Sequence, residues 1–119
     1  MSNPPASDET FTVNVEQRGD VAIVRLCGST TMDTSTNLQE RLFEAVDLPV
    51  KCLVLELSQL DFMTSAGLGA IMATYLRCRH RKCRMKLVGP QPRIVELLDL
   101  AKITELFGVY KTLDEALAV

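Results

Sequence analysis

Tryptophan is absent from this 119-residue chain, histidine occurs once, and aromatics are limited to four Phe and two Tyr. A single histidine, His80, leaves no second imidazole to serve as a general base. Long apolar runs are missing as well. The longest, from Ala66 to Ala73, contains two glycines and falls well short of the ~20 residues that span a bilayer. The first residues, Met1 to Glu9, carry neither a basic start nor an apolar stretch, so they do not read as a secretory signal. Two prolines among polar residues there predict a disordered tail over 1–9, followed by one domain over 10–119. No C-x-x-C occurs among the four cysteines, and Cys27 and Cys52 sit in strand-like apolar runs where a reduced thiol acts as a small hydrophobe. Cys78, His80 and Cys83 lack a fourth ligand at zinc spacing, so no metal site is expected. A Gly-rich phosphate loop is absent too, and no cofactor is expected. These absences point to a cytoplasmic protein that does not insert into membranes.

Acidic side chains are absent from one whole third of the chain. Residues 62–95 carry seven basic groups and no acid, whereas residues 1–61 have a net charge of −6 and residues 96–119 a net of −3. The cations cluster over Arg77–Lys86. Cations at a helix C-terminus complement its dipole and keep an exposed end solvated, which is the simplest reading of this run. A docking surface for an acidic partner ranks second. Direct nucleic-acid binding is not expected, because Tyr75 is the only Phe, Tyr or Trp between residues 63 and 106.

What is present is a regular alternation of strand and helix patterns. Phe11–Val15 alternates apolar and polar residues, a turn follows at Arg18–Asp20, and Val21–Cys27 continues as a second strand. Hydroxyls and a carboxylate at Asp33–Ser35 can cap a helix carrying Leu38, Leu42, Ala45 and Val46, which ends before Pro49. Cys52–Leu57 is nearly continuous apolar residue, as in a central strand covered on both faces. A helix follows over about Ala66–Arg79, then a strand at Met85–Val88 and a short helix at Ile94–Leu100. A helical turn at Ile103–Leu106, a strand at Phe107–Tyr110 and a capped helix at Thr112–Leu117 complete the chain. The pattern predicts an α/β fold with a mixed, partly parallel sheet of four to five strands, an opening hairpin and four to five helices.

The most informative stretch is LDFMTSAGLG, Leu60–Gly69, where a central strand turns into a helix with Thr64 or Ser65 at its start. Such a hydroxyl can simply cap the helix. Gly67 and Gly69 are not explained by capping, since each costs roughly 1 kcal/mol against alanine in a helix. Tolerating both implies a close backbone approach, by the domain's own sheet or by another molecule. The helix start also favours negative charge, so a phosphoryl group on Ser65 could be accepted there. A nucleophilic role for Ser65 fails on two counts. The G-x-S-x-G elbow lacks its first glycine, and His80 lies about 22 Å along the same helix.

Leu60–Gly69 resembles the hallmark strand–loop–helix of STAS domains of the bacterial anti-sigma factor antagonist type. The resemblance extends over about residues 10–119, through Leu26–Gly28, Leu87–Pro90, Val95–Leu98 and Phe107–Leu117. It implies a STAS fold and a non-enzymatic, partner-switching protein. The partner would be an anti-sigma factor that is an ATP-dependent serine kinase, and a PP2C-type phosphatase would reset the switch. It places the phosphoacceptor on Ser65, with Thr64 as fallback. The docking face it implies comprises Thr31, Asp33, Met63, Thr64, Ser65, Ala66, Gly67, Leu68 and Gly69, on a monomer or weak dimer. Two family aspartates are replaced: Thr64 stands immediately before the acceptor, and Thr31 stands after the first hairpin. These losses leave a second expectation open, a non-phosphorylated STAS scaffold or regulatory subunit of a signalling complex or membrane transporter.

Overall fold

A computed structural model describes residues 11–30 and 32–118; the tail expected over 1–9 and Thr31 lie outside the described residues. β1 (Phe11–Arg18) and β2 (Val21–Ser29) pair antiparallel, Phe11 with Gly28 through Arg18 with Val21. Gly19 and Asp20 alone make the turn, and Gly19 supplies the left-handed φ of 61° that so tight a connection requires. From β2 onward the chain adds parallel strands in sequence order: β3 (Cys52–Phe62), β4 (Arg84–Val88) and β5 (Gly108–Tyr110). The crossovers are α1 (Met32–Val46), α2 (Ser65–His80) and α3 (Pro92–Leu100), the last followed by a 3₁₀ turn at Thr104–Leu106; α4 (Leu113–Leu117) ends the fold. Among the described residues, five strands and four α-helices thus realise the expected mixed sheet.

Every parallel step moves in the same direction across the sheet, and right-handed crossovers then place α1, α2 and α3 on one face. The main core lies beneath them. Leu53, Leu55, Leu57 and Leu87 from the sheet meet Leu38 and Leu42 of α1, Ile71 of α2, and Ile94 and Leu98 of α3. The opposite face carries only a small cluster, in which Ala116 of α4 packs with Ile23, Val54 and Val88. β3 is therefore covered on both sides at its start, which is why Cys52–Leu57 reads as an unbroken apolar run.

β3 runs five residues beyond that apolar run. Its extension pairs only with β2, Cys27 with Gln59 and Ser29 with Phe62, through two register shifts. These irregularities break the two-residue alternation, so Leu57, Leu60 and Met63 can all be buried at three-residue spacing. The consequence is positional. The extension carries the chain past the end of β4 and delivers the β3–α2 turn beside the end of β2.

Candidate functional site

Thr64 is the N-cap of α2, with an extended backbone (φ −81°, ψ 169°) and a side-chain oxygen that accepts from Gly67 N at 3.2 Å. Its own N–H donates to Thr30 Oγ1 at 3.1 Å, and Thr30 N donates to Phe62 O at 2.9 Å. Thr30 is fully buried. One residue at the end of β2 therefore ties both sides of the β3–α2 turn, and Thr64 N would be orphaned without the threonine hydroxyl. A methyl group on Gly67 would lie 2.7 Å from Thr30 Oγ1 and 2.9 Å from Met63 Cγ. The close approach expected for this glycine is thus made by the domain's own strand end.

Gly69 behaves differently: a methyl group there would meet nothing within 4 Å, and the residue is exposed. Ser65, at the first position of α2, is exposed as well, and among the described residues its hydroxyl makes no hydrogen bond. Between them Ala66 and Leu68 are half-buried, and Leu68 packs against the core. Met63 and Gly67 are buried and support the turn from below. The expected set therefore separates into a solvent-facing part, Ser65 and Gly69, and a supporting part, Met63, Thr64 and Gly67. Asp33 is the second residue of α1; its side chain and the whole of Thr31 lie outside the described residues.

Three residues of this region have no signature in the sequence pattern. Thr30 hides within the run Gly28–Thr31, where its neighbour draws attention instead. Phe62 leaves 46% of its surface exposed at the end of β3, immediately before the turn. Gln91, which precedes α3, donates to Ser58 O at 3.0 Å and reaches Asp61 Oδ1 at 3.5 Å, bracing the β3 extension from the other side. A hydroxyl in the run that follows β2 and an aromatic two positions before the cap were the available clues.

No acid stands in the first turn of α2, whereas Arg77, Arg79 and His80 occupy its last turn. Ser65 and His80 are the first and last residues of this helix, so about 22 Å of helix separates them. Much of the basic run is committed to the fold. Arg77 grips Asp47 with two bonds, Nε to Oδ1 at 3.1 Å and Nη2 to Oδ2 at 2.9 Å, and lies 4.7 Å over the Phe43 ring. The Arg77 hydrogen bonds hold the Asp47 carboxyl below its usual range. Arg81 approaches the same carboxylate at 3.7 Å, and buried Lys86 donates to Ala116 O at 2.7 Å. Among the described residues, no group of three or more His, Cys, Asp and Glu side chains is placed to hold a metal ion. Among the described residues, no helix is long and apolar enough to cross a membrane.

The geometry is that of a rigid strand–turn–helix presenting one free hydroxyl at a helix N-terminus, beside an exposed aromatic and a bare stretch of backbone. The STAS domain family model matches residues 12–116. An anti-sigma F factor antagonist from Paenibacillus polymyxa is 29% identical over 99 residues, which cover 82% of this chain and 85% of the relative. The crystal structure of an anti-sigma factor antagonist from Mycobacterium paratuberculosis superposes with a TM-score of 0.83 at 28% identity, covering 99% of this chain and 97% of that one. A sulfate transporter family protein from Wolinella succinogenes shares the fold at a TM-score of 0.74 and 21% identity, over 85% of this chain and 84% of that one. The chain belongs to the STAS domain family.

Proposed function

We propose that this protein is an anti-sigma factor antagonist that acts by partner switching, with Ser65 as its phosphoacceptor. The observation that carries the proposal is the division of labour between Thr64 and Ser65. Thr64 spends its hydroxyl on capping α2, so Ser65 can be modified without dismantling the helix start. For the same reason Thr64 is the poorer acceptor of the two. The docking face comprises Phe62, Ser65, Ala66, Leu68 and Gly69, together with the Gly28–Asp33 segment. Gly69 lets a partner reach the helix backbone. The partner is the anti-sigma factor, an ATP-dependent serine kinase, and a PP2C-type phosphatase restores the free hydroxyl. The protein works in the cytoplasm, as a monomer or weak dimer, and is not itself an enzyme.

The physics of the switch is local. A phosphoryl group brings about −1.5 to −2 charge at neutral pH. The macrodipole of α2 tolerates that charge, so the antagonist stays folded. An interface closed over the Ser65 hydroxyl does not tolerate it, because desolvation of the dianion opposes contact. Titration calorimetry against the cognate anti-sigma factor tests the reading. Ser65→Ala should bind as the parent does, and Ser65→Glu should bind at least tenfold more weakly. Undiminished binding by Ser65→Glu overturns it.

One feature favours a second reading, a non-phosphorylated STAS scaffold or a regulatory subunit of a signalling complex or transporter. Thr64, the N-cap of α2, stands where antagonists commonly have aspartate. Under this reading Ser65→Glu and the parent bind their partner equally.

A further inference from the structure

Two thiols meet where α2 ends, and the backbone explains why. Lys82, one residue beyond the helix cap Arg81, takes the left-handed conformation with φ 59°. Its N–H donates to Arg79 O at 3.1 Å, and the N–H of Cys83 reaches back to Cys78 O at 2.7 Å. This pair of bonds is a Schellman ending, which brings its two outer side chains together, usually as an apolar contact. Here the outer positions are Cys78 and Cys83. The residues are 1% and 6% exposed, and the Cys83 thiol donates to Arg84 O at 3.6 Å.

The two sulfurs are not equivalent. Both belong to the core cluster, but Cys83 also lines a cavity of about 300 Å³ together with Arg79, Arg84 and Tyr75, and Cys78 does not. The neighbouring Cys78 thiol holds the Cys83 thiol below its ordinary range against the opposing effect of burial, assisted by the nearby Arg81 charge. The same pairing, with burial, pushes Cys78 up. Burial also raises Cys52, at the start of β3. Cys83 is the sulfur that borders the cavity, so it is the one a small oxidant reaches, and the thiolate is the form that reacts.

We propose that Cys83 and Cys78 form a peroxide-sensitive thiol pair, in which Cys83 reacts with a small hydroperoxide admitted by the cavity and Cys78 resolves the product as a disulfide. Cys83 releases its proton to solvent, and the thiolate attacks one oxygen of hydrogen peroxide. The S–O bond forms as the O–O bond breaks, and the departing hydroxide takes a proton and leaves as water. Cys78 then attacks the sulfenic sulfur. An S–S bond replaces the S–O bond, and the hydroxide leaves with the Cys78 proton as a second water. Two electrons pass from the pair of sulfurs to the peroxide. The resulting link staples the last turn of the helix whose first turn carries Ser65.

Treatment of the full chain with hydrogen peroxide, followed by mass spectrometry, tests this. The intact protein should lose two hydrogens, and a reductant should restore them. Trypsin cuts after Arg79, Arg81 and Lys82, so the Cys78 and Cys83 peptides stay joined only through the disulfide. Cys27→Ser should leave that link unchanged. Cys78→Ser should instead yield one sulfenic acid on Cys83, captured by dimedone, and Cys83→Ser should leave Cys78 unoxidised at the same dose. First oxidation at Cys27 or Cys52, a link involving Cys52, or four intact thiols at a dose that oxidises free cysteine would each overturn the proposal. Should a serine variant fail to fold, the linkage map of the parent protein decides alone.

Discussion

Gly67→Ala exposes most clearly how the β3–α2 turn is held. In an open helix the change would stabilise by about 1 kcal/mol, the usual gap between alanine and glycine. Here the new methyl would lie 2.7 Å from Thr30 Oγ1 and 2.9 Å from Met63 Cγ. Met63 can move aside along its flexible chain. Thr30 cannot, because it is buried, β-branched and engaged with Thr64 N and Phe62 O. Relieving the clash through Thr30 combines overpacking of about 1–3 kcal/mol with loss of a buried acceptor worth about 1–3 kcal/mol. The net expectation is a destabilisation of about 2 kcal/mol. A chain of this size should show it as a melting point lower by roughly 6–12 °C in differential scanning calorimetry. Gly69→Ala is the internal control. Its methyl meets open space, so that variant should gain up to about 1 kcal/mol while adding bulk to the docking face. In a Thr30→Ala background the Gly67→Ala cost should shrink, giving a coupling energy above about 0.5 kcal/mol. A Gly67→Ala protein as stable as its parent would refute the close-packing argument.

Three further outcomes can be measured on the same footing. Thr64→Ala removes the cap from Gly67 N and should cost about 1 kcal/mol in denaturant unfolding, whereas Ser65→Ala should stay within about 0.5 kcal/mol of the parent. Phe62→Ala, at an already exposed position, should leave the melting point nearly unchanged yet weaken partner binding at least fivefold in calorimetry. Asp47 has a carboxyl held down by Arg77, so its contribution to stability is fully present above the ordinary aspartate range. It is lost as pH falls through the lowered folded value. Asp47→Asn should accordingly flatten the acid limb of a stability–pH profile while changing nothing in the slope near neutrality.

The fold was legible because its signals are local. The Cys52–Leu57 run, the Gly19 turn and the alternation of strand and helix patterns each arise within a few residues, and sequential parallel strands follow from them. β3 was misjudged in length because Ser58 and Gln59 interrupt the apolar run and two bulges spoil its alternation. At the candidate site, the paired glycines signalled close approach but not by what. Gly67 is pressed by Thr30, a contact across more than thirty residues of chain, whereas Gly69 is pressed by nothing within the fold. The basic run posed the same difficulty. Its charge was plain, but Arg77 gripping Asp47 joins positions thirty residues apart, so only tertiary structure shows that part of the run is already neutralised. Thr30 and Phe62 acquire meaning only once β2 and β3 lie side by side. Likewise the meeting of Cys78 and Cys83 depends on a left-handed Lys82, a conformation that no lysine announces.

Phosphate mapping tests the central claim most directly. The parent protein, Ser65→Ala and Thr64→Ala would each be incubated with the cognate anti-sigma factor and ATP, and the modified residue located by tandem mass spectrometry. The expected result is one phosphoryl group on Ser65 in the parent and in Thr64→Ala, none in Ser65→Ala, and release of the partner only where the group is added. Phosphate on any other residue, equal modification of Ser65→Ala, or a phosphorylated protein that still holds its partner would contradict the account.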